Sequence, residues 1–197
     1  MALLSTVDRN KYLSPLMGST YLAHQTIYAA GAEGLAWRVK HGVVRLDITT
    51  KNGETSFASL AITGDIVGCE TMLFGVYTFS ASALTHCELS PWPEGEPAGA
   101  VESLFESLAL AQRRTADVIA LRGGQATDRV LNLIHLLGDG AGQVVLPTRQ
   151  DIADITDLRF ETISRIIKGL ERIGILLPVK IEGVHATRSY AVNLARA

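Results

Sequence analysis

Four side chains in the stretch "FETISRIIK", residues 160–168, have the types and spacing to read a polar edge: Glu161, Ser164, Arg165 and Lys168. They recur every three to four residues, so a helix gathers them on one face. A guanidinium fork suits two coplanar acceptors, such as O6 and N7 of guanine, and a carboxylate accepts from an exocyclic amine. The other side of the same stretch is apolar, with Ile163, Ile166, Ile167, Leu170 and Ile173 expected as its buried stripe. A helix built this way is expected to lie in the major groove of double-stranded DNA, with a solvated helical hairpin as the alternative. Phe160 stands at its start, beside the polar residues.

Such a helix needs a scaffold. "RQDIADITDLRFETISRIIKGLERIGIL", residues 149–176, reads as two short helices joined by a tight turn at Thr156-Asp157-Leu158. Thr148 is placed to cap the first helix, and Asp151 suits its first turn. Ile152 and Ile155 are expected inward, with Ala153 small where the partner helix crosses. Many such turns carry Gly where this one has Asp157; Asp tolerates the left-handed backbone better than most residues. Arg159 stands where a capping Ser or Thr is usual. After the second helix, "ILLPVKIEGVHATRSYAVNL" reads as two strands around Glu182-Gly183. This makes a winged variant, with Lys180 and Arg188 placed to approach phosphates.

The charge supports that placement. The chain has 197 residues and a net charge of −2. From Arg159 onward seven bases face three acids, a local +4, which leaves −6 on the other 158 residues. A basic surface on an otherwise acidic protein is what phosphate attraction requires. A composition of 47% hydrophobic and 19% charged residues is that of a folded globular protein. No run approaches 18 apolar residues, so no membrane span is expected, and the first residues lack the basic start of a secretory signal. Cys69 and Cys87 form neither a zinc pattern nor a disulfide framework, which points to a reducing cytoplasm.

Upstream, residues 20–95 are punctuated like a β-protein. "GVVRLDITTKNGETSFASL" has two strand-like runs around Asn52-Gly53, a hairpin signal in which both turn positions take positive φ. Short strands separated by "AGAEG" and "TGDIVG" suggest a small barrel or roll. "SPWPEGEPAG" marks a boundary. In the following helix, residues 98–122, Val101, Leu104, Leu108, Ala111, Thr115 and Val118 recur at spacings of three and four. That is a heptad seam on which two copies can pair as a homodimer. "RGGQ" ends it, and "ATDRVLNLIHLL" forms a further amphipathic helix. "GDGAGQ" lacks the Lys-Ser/Thr of a phosphate loop.

This order of parts resembles the cyclic-AMP receptor protein and fumarate–nitrate reduction regulator (CRP/FNR) family of bacterial transcription factors. The likeness is strongest in "RQDIADITDLRFETISRIIKGLERIGIL" and also runs through "ATDRVLNLIHLL" and "GDIVG". It implies an α+β architecture: an N-terminal cupin-like, cyclic-nucleotide-binding-like β-roll (1–97), a long dimerisation helix (98–122) and a C-terminal winged helix-turn-helix (123–197). "FETISR" is similar to the fumarate–nitrate branch, with Glu161, Ser164 and Arg165 at the base-reading positions and Phe160 where the cyclic-AMP receptor has an Arg. The resemblance implies an inverted repeat of TTGA-type half-sites read by a two-fold dimer. It also implies phosphate or positioning contacts from Arg149, Thr162, Lys168 and Thr127. Regulation, with activation as the expected sense, would run through contact between surface loops such as "GDGAGQVV" and RNA polymerase; repression fits the same residues.

The sensor half departs from the cyclic-AMP receptors. Phe79 stands where they carry a phosphate-gripping Arg, while Ser80 keeps the neighbouring hydroxyl. Arg114 and Thr115 occupy the place of their adenine-binding pair, so Ser80, Arg114 and Thr115 are the candidate effector pocket. No cysteine precedes Cys69, against an iron–sulfur cluster. Haem through His24, His41, His86 or His135 and thiol sensing by Cys69 or Cys87 stay open. The expected reading has no cofactor and no effector, with an effector-dependent sensor as the alternative. No catalytic constellation is legible, so an enzyme is not expected.

Overall fold

The computed structural model describes residues 18–50, 52–93, 100–138, 142–180 and 188–193. Its N-terminal half consists of strands β1 (Ser19–Tyr21), β2 (Thr26–Tyr28), β3 (Ala36–His41), β4 (Val43–Thr49), β5 (Thr55–Ile62) and β6 (Ile66–Val67). After the one-turn helix α1 (Thr71–Phe74) come β7 (Ser80–Ala83) and β8 (Cys87–Trp92). They form two four-stranded antiparallel sheets, ordered β1-β8-β3-β6 and β2-β7-β4-β5. Alternate residues face inward, so Val39, Val44, Ala81, Ala83, Cys87 and Leu89 fill the space between the sheets. This is the roll expected from the turn spacing.

One turn differs in detail. Gly53 has φ 80° and its N–H reaches the Thr50 carbonyl at 2.9 Å, while Thr50 N–H closes on the Glu54 carbonyl at 2.8 Å. Asn52 is not left-handed, so only one of the two expected positive-φ positions is used. A turn with a single left-handed Gly joins β4 and β5 equally well.

The C-terminal half is helical apart from one small sheet. Helices α2 (Ala100–Ala120), α3 (Ala126–Leu137), α4 (Arg149–Thr156) and α5 (Phe160–Arg172) are accompanied by β9 (Gln143–Val145), β10 (Leu176–Pro178) and β11 (Ser189–Val192). The strand order is β10-β11-β9, with Leu176 opposite Val192 and Ser189 opposite Val145. Strands β10 and β11 match the two expected after the second helix, whereas β9 begins at Gln143, a residue expected in a loop. The expected wing turn at Glu182-Gly183 and the boundary at residues 97–98 lie outside the described residues. One apolar cluster joins the halves: Val43, Phe57, Leu60 and Leu84 of the roll pack with Val118, Leu121, Val130, Ile134, Ile152 and Ile163.

Helix α2 has two apolar faces, and Leu104 and Val118 of the expected dimer seam lie on the inner one. Val118 is only 7% exposed and sits in the cluster just named, while Leu104 packs on Ala36, Ile66 and Trp92. The same face sends Ser103 to Arg38, Ser107 to the Ile66 N–H at 2.8 Å, and Arg114 into a buried ion pair with Asp65. Leu104 and Val118 are therefore held by the chain's own roll and core. The outward face carries Val101, Phe105, Leu108, Thr115 and Ile119, of which Phe105 and Ile119 are each 67% exposed. The spacing 101-105-108-112-115-119 is again heptad-like. It keeps Val101, Leu108 and Thr115 of the expected set and adds Phe105, Gln112 and Ile119; Ala111 of the expected set is also exposed, whereas Leu104 and Val118 face inward. The sequence admits both registers because Leu104, Phe105, Val118 and Ile119 are all apolar. Contact with the roll and core turns Leu104 and Val118 inward.

Candidate nucleic-acid interface

The interface is built around α4 and α5. Helix α4 starts with a capping box: Thr148 Oγ1 accepts from the Asp151 N–H at 3.1 Å, and Asp151 accepts from the Thr148 N–H at 3.1 Å. It ends at Asp157, whose φ of 53° and ψ of 46° are the left-handed geometry expected there. The Asp157 N–H and the Leu158 N–H both reach the Ala153 carbonyl. Two arginines take the last carbonyls of α4. Arg122 donates to Asp154 O and Ile155 O at 3.1 and 3.2 Å, and Arg129 donates to Thr156 O at 3.3 Å.

Helix α5 begins at Arg159, which makes no side-chain cap, as expected from its residue type. Ile163, Ile167 and Leu170 are buried, and Ile166 is half-buried. Ile173, expected in that stripe, is instead exposed at the C-cap, where the chain turns into β10. Glu161, Arg165, Lys168 and Arg172 are exposed at spacings of four, three and four, along one line of the helix. Arg172 continues that line by the same spacing, the one signal in the sequence that could have added it to the expected set. Ser164 and Thr162 flank the line half-buried, and Phe160 is exposed at its head.

Beside the start of α5 lies a cavity of about 380 Å³. Arg149, Gln150, Phe160, Arg188 and Tyr190 line it, together with Thr148 at the N-terminus of α4. One guanidinium nitrogen of Arg149 (Nη1) is buried without a hydrogen-bond acceptor among the described residues. An unsatisfied cationic donor beside a second arginine and a helix N-terminus is suited to receive a phosphate oxygen. The structure thus brings Arg149 and Phe160 together with Arg188. Thr127 is exposed in the first turn of α3 and does not line this cavity. Lys180 is exposed after β10. Behind the cavity, Tyr190 donates to Glu171 at 2.8 Å, and burial followed by that carboxylate pushes its phenol up to about 12.

Each candidate effector residue is engaged within the chain. Arg114 is consumed by Asp65, Thr115 is exposed and its hydroxyl donates back to Ala111 O at 3.1 Å, and Ser80 Oγ accepts from the Ala30 N–H at 3.0 Å. Arg114 is drawn to Asp65 because a buried carboxylate needs a cation more than a vacant pocket does. Inside the roll Tyr28 and Tyr77 stack at 3.8 Å, with Tyr77 packed over Gly34 and Gly68, where any Cβ would collide with its ring. Burial pushes the pKa of both tyrosines upward. The Cys69 and Cys87 thiols are likewise pushed up by burial, the wrong direction for a reactive thiolate. His41 and His86 lie 6.2 Å apart ring to ring, and among the described residues no three His, Cys, Asp or Glu side chains converge as a metal site. No helix among them is long and apolar enough to cross a membrane.

Comparisons with known proteins agree with this geometry. No protein-family model matches the chain. The nitrogen fixation regulation protein FixK of Bradyrhizobium diazoefficiens is 31% identical over 177 residues, covering 76% of this chain and 73% of that protein. FixK of Rhizobium meliloti is 27% identical over 80% of this chain and 76% of its own length. Among solved structures, a CRP-family transcriptional regulator from Thermus thermophilus matches with TM-score 0.69 at 24% identity, over 90% of this chain and 93% of that one. FixK2 from Bradyrhizobium japonicum matches with TM-score 0.65 at 24% identity, over 89% and 91%. The two structures speak for the fold, and the first FixK relative carries the lineage: this chain belongs to the CRP/FNR family of transcriptional regulators.

Proposed function

We propose that this regulator binds an inverted repeat of TTGA-type half-sites as a cytoplasmic homodimer, without a small-molecule effector. The observation that carries the reading is the exposed line Glu161, Arg165, Lys168 and Arg172 on a helix whose opposite face is locked into the core. Arg165 reads a guanine, Glu161 accepts from an amine of the paired strand, and Ser164 contacts or orients a neighbouring base. Arg149 and Arg188 take backbone phosphates from the adjoining cavity, with Thr162, Lys168 and Thr127 in supporting positions. The outward face of α2 pairs the two copies and sets the recognition helices one helical turn, about 34 Å, apart. Bound at such a site, the dimer regulates by touching RNA polymerase.

Independence from an effector is supported by the roll. Its candidate ligand groups are spent on internal partners, and the stacked tyrosines occupy interior space. Selection from random duplex DNA with purified protein and nothing added tests both halves of the reading. Enrichment of the inverted repeat is the expected result. Enrichment only when cell extract is supplied would restore the effector-dependent alternative, and enrichment in neither would overturn the base-reading assignment.

A further inference from the structure

The roll touches the DNA-binding half through more than apolar packing. Arg45 on β4 binds Asp47 of its own strand at 2.8 Å, and its other arm points across to α4, 3.4 Å from Asp154 and 3.7 Å from Asp151. His24 Nε2 lies 3.8 Å from the second oxygen of Asp151. Two guanidinium groups lie over the Phe57 ring, Arg45 at 5.8 Å and Arg122 at 5.3 Å from the ring centroid. Burial alone would lower the Arg45 pKa, but Asp47 and Asp154 outweigh it and hold the charge above its ordinary range. The chain of contacts continues outward: Asp154 accepts from the Gln150 amide at 2.9 Å, and Gln150 lines the cavity that holds the unsatisfied Arg149 nitrogen.

We infer that Arg45, a residue of the roll, is a positioning residue for DNA binding: it holds α4 by Asp154 and Asp151, and through Asp154 and Gln150 it fixes the cavity that receives the DNA backbone. The inference rests on the proposed DNA-binding mode. Its physical basis is that Arg45 is a charged contact from the roll to α4 itself, so α4 cannot swing away from the roll without parting Arg45 from a carboxylate. A residue outside the helix-turn-helix then sets how well both recognition helices fit at once.

Asp154→Asn is the cleanest probe. It removes the charge that Arg45 holds, keeps an oxygen for Gln150, and sits at a partly exposed position where folding is little affected. Bulk electrostatics and positioning predict opposite signs. Deleting an acid next to the DNA-binding surface strengthens attraction to phosphates, whereas loosening α4 weakens binding. The experiment uses full-length protein, a duplex carrying the inverted TTGA-type repeat, and a scrambled duplex of equal length. Asp154→Asn is expected to weaken binding to the repeat by about 3- to 30-fold, the range found for residues that couple sites without touching ligand. Arg45→Met should weaken it similarly, and adding it to Asp154→Asn should cost less than the product of the two. Unchanged or tighter binding by Asp154→Asn, or fully multiplicative losses, overturns the inference. If wild-type protein does not prefer the repeat, the proposed binding mode fails, and hydrogen exchange of the free protein decides the joint instead. There, faster exchange of the α4 amides Ile152, Ala153 and Ile155 in Asp154→Asn sustains the role of Arg45, and unchanged exchange rejects it.

Discussion

The two registers available to α2 make different predictions about dimerisation, and truncating Phe105 and Val118 separates them. Phe105 is 67% exposed in the protomer, so about two-thirds of its surface is free for a partner. Full burial of a Phe side chain is worth about 1.5–3 kcal/mol, which gives about 1–2 kcal/mol for this share. Two-fold symmetry counts the side chain twice, so Phe105→Ala should weaken the dimer by about 2–4 kcal/mol, or about 30- to 700-fold in Kd. Val118, at 7% exposed, is already inside the protomer. Val118→Ala should leave the dimer Kd within a few-fold and instead cost about 1–3 kcal/mol of folding stability per protomer. At this chain length that is a fall of roughly 2–4 °C in Tm per kcal/mol. Sedimentation equilibrium over a concentration series reads the first quantity, and thermal unfolding above the dimer Kd reads the second. If Val118→Ala weakened association as much as Phe105→Ala, the outward seam would be wrong.

Three further outcomes follow from the interface. Arg165→Ala should cost about 1–3 kcal/mol and relax preference at one base pair per half-site; a selection returning an unchanged motif would rule out its base-reading role. Lys168→Ala should weaken repeat and scrambled duplex alike and reduce the salt slope of binding by about one unit per subunit, checked by anisotropy at several salt concentrations. The raised Tyr190 pKa sets an alkaline limit. The folded state holds that proton more tightly than the unfolded one, so its stabilising share is complete below about pH 10 and is lost as pH rises toward about 12. Over that window wild type should lose stability relative to Tyr190→Phe, which has no proton to release; parallel melting curves from about pH 9 to about pH 12 check it.

The helix-turn-helix was legible in the sequence because its information is local. Thr148, Asp151 and Asp157 each have a turn-scale reason to be where they are, and Ile163, Ile167 and Leu170 mark the buried side by spacing alone. The roll was legible in outline for a similar reason, since its turns are short and punctuated by Gly. What periodicity could not supply was the partner of each face. Helix α2 carries large apolar residues on two sides, so the choice between Leu104 and Phe105 as outward residue waits on Ala36, Ile66 and Trp92, which are distant in sequence or on another element. The partner of Arg114 is hidden for the same reason: Asp65 lies 49 residues away. Strand β9 is three residues long and exists by pairing with β11, a contact that no local pattern announces.

The joint at Arg45 also bears on how an acidic protein approaches DNA at all. Attraction to phosphates is decided within about a Debye length, roughly 8 Å at physiological ionic strength, so the −6 carried outside the last 39 residues matters only where it comes close. Asp151 and Asp154 on α4 are two carboxylates beside that surface. Asp154 stands five positions after Arg149, about 7.5 Å along the helix axis, and Asp151 is nearer still. Left open, these two acids would oppose the charge of Arg149 at the cavity. Both instead face Arg45, and Asp151 is further occupied by Thr148 and lies beside His24. The roll therefore contributes the cation that quiets the acidic side of α4, which leaves Arg149, Arg188 and the line Arg165-Lys168-Arg172 to set the field that DNA meets. Under this reading the same side chain that aligns the helix also clears its electrostatic approach. That is why Asp154→Asn, which severs alignment while it adds net positive charge, pits the two effects against each other, and why the sign of its effect on affinity reveals which one governs binding.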